Sequence, residues 1–223
     1  MKTVNIFCIL AKTGGGKTEY INRLMKDKRF FKQNNLSLLV YGTTRSKRNG
    51  EKEGIDYFYH TKEEYEKITD DELIESRSYY TLNDGEVYYF TKTDYFNTGS
   101  NIICIVSPYQ YENYRNWCDK ENIKGHKKYN INMIIIDTDI RIRIPRIIKR
   151  SKTDNDIYEM CRRIIQEKNE FGDVGKRIPE LIDPMLSNNV CLINNNMSEE
   201  SKIQENVVKI KEFIRRTVKL NQK

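Results

Sequence analysis

No apolar run in this 223-residue chain approaches the ~18 residues that a membrane-crossing helix needs, so no helical membrane span is expected. No C-x-x-C pair occurs among the five cysteines, Cys8, Cys104, Cys118, Cys161 and Cys191, and several lie inside apolar runs. Reduced, mostly buried thiols in a cytoplasmic protein are the expectation. The chain enters strand-like sequence at Val4, which leaves no room for a leader, and no signal peptide is expected. A one-signed charge block is also missing. Lys and Arg number 39 against 32 Asp and Glu, for a net charge of +7 and a pI near 9.0, but the two signs are interleaved. That pattern suits a solvated surface with a site for small polyanions better than a nucleic-acid groove. His126, beside Lys127 and Lys128, is read as a surface residue without a catalytic role.

What is present is a highly charged globular composition, 32% charged and 38% hydrophobic, long enough for one α/β core with small inserted parts. Its focus is Ile6 to Asn22, IFCILAKTGGGKTEYIN. A short apolar segment runs into a glycine cluster, then Lys17-Thr18, then a helical pattern. The phosphate-loop template G-x-x-x-x-G-K-[ST] reads here as Ala11-Lys12-Thr13-Gly14-Gly15-Gly16-Lys17-Thr18, with Ala11 where the first glycine is usual. Residues without side chains let several backbone N–H groups close around a phosphate chain, and the following helix points its positive end there. Thr13, Gly14, Gly15, Gly16, Lys17 and Thr18 are therefore the candidate ATP-phosphate ligands. Lys17 supplies a mobile charge and the Thr18 hydroxyl a ligand for Mg²⁺. A glycine-rich turn that binds nothing does not need Lys-Thr directly after it.

Around this loop, Val4–Leu10 is expected as a central strand, and Thr18 to about Phe30 as a helix with Ile21, Leu24 and Met25 on one face. Leu36–Tyr41 is expected as a second buried strand, making a right-handed parallel unit with its ligand at the carboxyl ends of the strands. Asp70–Ser78 reads as a short helix and Tyr79–Thr91 as a hairpin turning at Asn83-Asp84-Gly85. Pro108–Glu121 reads as a helix packing through Tyr111, Tyr114 and Trp117, followed by a loop that turns at Gly125-His126. Ile131–Ile136 is expected as a buried strand. Asp137-Thr138-Asp139 after it is either a set of carboxylates near a metal or a turn and helix cap. Arg141 and Arg143 fit a solvated basic face. Gly172–Met185 reads as a long loop, Val190–Ile193 as the last strand, and Glu199–Leu220 as an amphipathic helix built on Ile203, Val207, Ile210, Phe213, Ile214 and Val218.

Thr43-Thr44-Arg45-Ser46-Lys47-Arg48-Asn49-Gly50-Glu51, then Gly54-Ile55-Asp56-Tyr57 and an acidic stretch, matches T-T-R-x-x-R-x-G-E and G-x-D-Y. This resembles the guanylate kinases, in order and spacing. Two guanidinium groups three residues apart also suit a phosphate dianion on their own chemistry. The resemblance implies that Arg45, Arg48 and Tyr57 hold the phosphate of a nucleoside monophosphate, with Glu51 bracing the arginines. It implies that Glu75 reads guanine, that Tyr89 touches the phosphate and that Thr91 touches the base. Arg146, Arg150 and either Arg163 or Arg162 would be lid arginines near the transferring group. Two departures bear on the base. Tyr41 stands where the family has serine, and Ile102–Pro108 lacks the family's acidic residues.

The fold expected is a P-loop NTPase-type α/β fold of three layers with a central parallel sheet. A core is expected at 1–41, 96–137 and 161–223, a monophosphate-binding insertion at 42–95 and a lid at 138–160. The resemblance implies transfer of phosphoryl from MgATP to GMP or dGMP. A monomer or homodimer is expected, and interleaved charge without a long apolar run predicts neither a nucleic-acid nor a membrane partner. A kinase for another base and a non-catalytic phosphopeptide-binding module are the alternatives.

Overall fold

The computed structural model describes residues 3–81, 84–125, 128–181, 189–197 and 199–221. Five parallel strands form the main sheet: β1 (Thr3–Leu10), β2 (Leu36–Leu38), β7 (Asn101–Ile105), β8 (Lys128–Asp137) and β9 (Val190–Asn194), in the order β2-β7-β1-β8-β9. The central strand β1 is buried on both faces, as the near-continuous apolar run TVNIFCIL requires. Its alternate residues feed two cores. Phe7 and Ile9 pack with Leu24, Phe30, Ile210, Phe213 and Ile214, under α1 (Lys17–Lys26), α2 (Lys28–Gln33) and α7 (Glu200–Leu220). Ile6, Cys8 and Leu10 pack with Phe96, Tyr111, Tyr114 and Met133, under α4 (Pro108–Lys124). Helices on both faces of a parallel sheet make the three layers. Among the described residues no helix is long and apolar enough to cross a membrane. Cys8, Cys104, Cys118 and Cys191 are buried free thiols, and Cys161 is exposed.

A second, four-stranded mixed sheet has the order β4-β3-β6-β5, from β3 (Tyr41–Thr43), β4 (Tyr57–Tyr59), β5 (Leu73–Thr81) and β6 (Gly85–Lys92). Its closest approach is at Gly42, where an added Cβ would lie 2.4 Å from the Phe90 ring. α3 (Lys62–Glu66) follows β4 behind a Thr61/Glu64 capping box. After β8 come α5 (Ile140–Arg150) and α6 (Asp154–Leu181). Thr153 and Asp156 exchange backbone-to-side-chain hydrogen bonds at the entrance to α6.

Several sequence expectations change. The first helix breaks at Asp27, whose backbone leaves the helical region and whose carboxylate caps α2 through the Phe30 N–H. Met25 is 41% exposed and lies off the core face. The expected strand over 36–41 divides, with Leu36–Leu38 in the main sheet and Tyr41 opening the second. Leu73–Ser78 is strand instead of helix, because β6 supplies an antiparallel partner from Lys92 to Tyr88, with a register shift between Leu73 and Glu75, and pairing overrides local preference. The α6 backbone continues through Leu181 where a loop was expected from Gly172. Isolated glycines weaken a helix without necessarily ending it. The rest of that loop, Asn83 of the hairpin turn, and His126 lie outside the described residues.

Candidate active site

The parallel strands β1, β8 and β9 end on one edge, and the glycine loop crosses that edge. Gly14 at φ +75° and Gly16 at φ +95° hold left-handed backbone that L side chains rarely adopt. Two side chains from the neighbouring strand ends fasten the loop. The Thr138 hydroxyl donates to the Gly15 carbonyl at 3.1 Å, and the Asn195 amide donates to the same oxygen at 3.0 Å. Asn195 is itself held by the Tyr20 hydroxyl at 2.8 Å. Asp139 caps α5 by accepting from the Arg141 N–H at 2.8 Å. The tripeptide 137–139 therefore serves as loop anchor and helix cap, with Asp137 exposed.

Lys17, at the start of α1, folds back so that its ammonium donates to the Ala11 carbonyl and, at 3.4 Å, to that of Lys12. Burial pulls its pKa down to about 8. Glu167 pushes it back up, while Arg143, Arg163 and Arg150 add to the lowering. Thr18 is exposed in the first turn of α1. Among the described residues no three His, Cys, Asp or Glu side chains converge as a metal cluster. The donor set fits a hard cation carried in with a polyphosphate, with one hydroxyl from the protein, and does not fit an all-protein cage.

On α5 and α6, Arg150 is exposed and Arg146 half-buried. Arg163 pairs with Glu159 at 2.9 Å, and Arg162 bonds Glu159 and Gln166. The Arg163 charge is one of those that lower the Lys17 pKa, whereas the Arg162 pKa is raised mainly by its Glu159 partner. Arg143, expected on a solvated face, is buried, and its guanidinium donates to the Thr13 carbonyl at 2.9 Å and to Glu167 at 3.2 Å. Proximity to the loop and a carboxylate partner on α6 hold the charge inside, where sequence pattern alone saw only a basic helix.

The second sheet brings a different group together. Arg45, 5% exposed, donates through Nη2 to both Glu51 oxygens at 2.9 and 3.1 Å. Its Nη1 donates to the Ser46 carbonyl at 2.6 Å and its Nε to the Tyr89 hydroxyl at 3.1 Å. Tyr57 stands with its ring 5.3 Å from the guanidinium carbon and 5.8 Å from the Tyr89 ring. Glu51 also accepts from the Arg48 N–H at 2.8 Å and from the Tyr59 hydroxyl at 2.7 Å. The Arg45 guanidinium holds its carboxyl down to about 2, helped by Tyr59 and the Arg48 amide. Glu51 thus braces Arg45 by its side chain and Arg48 by its backbone only, leaving the Arg48 side chain exposed. Tyr59 was not singled out from sequence.

Deeper in the same sheet, the β5/β6 register sets Glu75 opposite Thr91. Glu75 Oε1 accepts from the Thr91 hydroxyl at 2.7 Å and from the Gln110 amide at 3.1 Å. Oε2 is buried without a hydrogen-bond partner, with Arg77 Nε 3.8 Å away. Burial pushes the carboxyl above its usual range, against the two hydrogen bonds and the Arg77 charge. Gln110 is held by its capping box with Ser107, and Thr91 also meets the Tyr114 hydroxyl at 2.7 Å. Tyr41 donates to the Ile105 carbonyl at 2.6 Å, tying the small sheet to the end of β7.

A family model described as guanylate kinase matches residues 3–93. A curated guanylate kinase of Mycoplasmoides gallisepticum is 42% identical over 77 residues, 33% of this chain and 36% of that protein. One from Rickettsia felis is 28% identical over 68% of this chain and 71% of its own, and one from Coxiella burnetii 24% identical over 75% of each. Against relatives such as those of M. gallisepticum and Schizosaccharomyces pombe, the match spans only about a third of the relative's length, 36% and 30%. A solved guanylate kinase from Anaplasma phagocytophilum has a TM-score of 0.49 at 18% identity, over 97% of this chain and 86% of its own.

Proposed function

We propose that this chain, which is similar to the guanylate kinases over residues 3–93, transfers the terminal phosphoryl group of MgATP to GMP or dGMP, giving ADP and GDP or dGDP. The observation that carries the choice of guanine is the orphaned Glu75 Oε2, a buried acceptor at the heart of the small sheet. Guanine presents a ring N–H and an amino group side by side, while adenine presents an acceptor in place of the ring N–H. An anionic oxygen left without a donor is costly, and a base that brings donors removes that cost.

In this reading the acceptor phosphate lies against Arg45 and Arg48, with the Tyr57 and Tyr89 hydroxyls as further donors. Arg45 is held rigidly by Glu51 and Ser46, so little ordering is needed when the anion arrives. The donor triphosphate lies along residues 13–18, with loop N–H groups and Lys17 facing its outer phosphates. Thr18 and the phosphates would hold Mg²⁺, which supplies charge neutralisation between the phosphate oxygens when bound. Arg150 and Arg163, from α5 and α6, meet charge on the moving group, and Arg146 stands near the nucleotide on α5. No covalent intermediate is required. The barrier falls through in-line positioning and through cations aimed at developing charge in a closed site. Closure brings the small sheet, residues 42–95, and the 138–160 segment toward the core.

Tyr41 stands where the resemblance implies serine, and residues 102–108 lack the carboxylates that it implies, and this supports relaxed base choice as the second reading. An ADP-release assay with GMP, dGMP, AMP, UMP and dTMP tests both. Turnover confined to the guanine nucleotides supports the first, and comparable turnover with another base supports the second. No turnover with any monophosphate, together with tight phosphopeptide binding through Arg45, points instead to a binding module.

A further inference from the structure

Glu167 bears on the phosphate loop in a way that the reading above leaves unused. The Thr13 N–H, one of the loop amides, donates to its carboxylate. The other carboxylate oxygen accepts from Arg143 Nη1 at 3.2 Å, and the same nitrogen donates to the Thr13 carbonyl at 2.9 Å. This ion pair is enclosed, with side chains 6% and 12% exposed, and Arg143 Nε is buried without any partner. The loop is pressed against α5 at the same point, since a Cβ on Gly14 would stand 2.8 Å from Ile147 and 3.0 Å from the Arg143 carbonyl oxygen. Lys17 feels Glu167 together with three cations, Arg143, Arg163 and Arg150. A carboxylate that takes a loop amide and lies against Arg143 and within reach of the Lys17 charge has the surroundings that a phosphate would have.

We propose that Glu167 is the resident counter-anion of the donor-phosphate site, and that Arg143 is a positioning residue that passes from this carboxylate to the incoming phosphate. The proposal rests on the reading of residues 11–18 as the donor loop. One N–H cannot serve the carboxylate and a phosphoryl oxygen together, and two anions at that spacing repel. Binding therefore exchanges one anion for the other. Arg143, already short of a partner at Nε, cannot remain inside without an anion, so the exchange requires an occupant of matching charge. Glu167 lies one helical turn beyond Arg163 on α6, so its release frees the segment that carries a proposed lid arginine. Donor binding and the placement of Arg163 become one event.

The test is calorimetric titration of MgADP and of pyrophosphate into the wild-type chain, Glu167→Gln and the double variant Arg143→Leu/Glu167→Leu. Glu167→Gln keeps the shape and removes the competing charge. It is expected to bind both ligands about tenfold tighter than wild type, the worth of one charge-assisted hydrogen bond no longer displaced. The double variant, which leaves no buried charge unpaired, is expected to bind more weakly than Glu167→Gln because Arg143 is gone. If either variant melts early, hydrogen exchange on the wild-type chain decides, and MgADP is expected to speed exchange in α6 around Glu167. Equal or weaker binding by Glu167→Gln, or α6 exchange that slows or stays unchanged with MgADP, overturns the proposal and leaves the donor loop standing. Failure of the wild-type chain to take up either ligand overturns the donor-loop reading itself.

Discussion

Glu75→Gln separates base recognition from folding because of how the carboxylate is held. Oε1 receives two donors, the Thr91 hydroxyl and the Gln110 amide. In the variant those donors keep the oxygen of the new side-chain amide at that place, so its NH₂ is forced into the position of Oε2, the atom without a hydrogen bond. A donor then faces the two donors of guanine. The loss is that of an acceptor bond to a charged group, about 1.5–3 kcal/mol, or roughly 10- to 150-fold in kcat/KM for GMP. The facing of two donors places the result toward the upper end. Adenine offers an acceptor at the same edge, so AMP is expected to hold or gain. Thermal stability is expected to change little, since both internal hydrogen bonds survive. The assay is steady-state ADP release with GMP and with AMP on wild type and variant, beside a melting curve. A fall of less than about threefold for GMP, with AMP unchanged, refutes the reasoning, because it lies below one hydrogen bond's worth.

Lys17→Ala is expected to abolish turnover while the melting temperature stays close to wild type, and a differential scan beside the assay checks both. With its pKa near 8, below the ~10.4 of an unfolded lysine, Lys17 makes stability rise with pH between those values, because the unfolded chain there binds more protons. Phosphate favours the charged ammonium, so MgADP binding at pH 8.5 is expected to take up protons, and equal calorimetric heats in buffers of different ionisation enthalpy would contradict this. Arg45→Ala is expected to weaken GMP while sparing ATP, and to lower the melting temperature because it strips Glu51 of its main partner; titration that found ATP lost and GMP kept would reverse the two sites. Gly42→Ala drives a methyl into the Phe90 ring and is expected to cost about 1–3 kcal/mol, read as a shifted urea midpoint.

The parts legible in the sequence are those whose information is local. The glycine run, Lys17 and Thr18 announce an anion site because strand, turn and helix starts are written in consecutive residues. The arginine loop at 45–51 is likewise a contiguous pattern, and its internal hydrogen bonds span at most six residues. What escaped was set by pairing across the chain. Leu73–Ser78 has a helix-like local pattern, and its pairing with β6 makes it a strand. Glu167 meets Thr13 across 154 positions, and Asn195 meets Gly15 across 180. Arg143 is indistinguishable from Arg141 by pattern, yet one is enclosed and the other exposed. The asparagine run 194–196 at the end of β9 was the one available signal for the loop anchor, since the ends of parallel strands gather on one edge.

The most direct measurement is titration of a single ligand in which adenosine and guanosine are joined through a chain of phosphates. Docked across both centres, it is expected to bind one per chain, to be displaced by GMP and by MgATP alike, and to lose affinity in Lys17→Ala and in Arg45→Ala. Binding that either substitution leaves intact, or that only one of the two nucleotides can displace, would contradict paired phosphate sites.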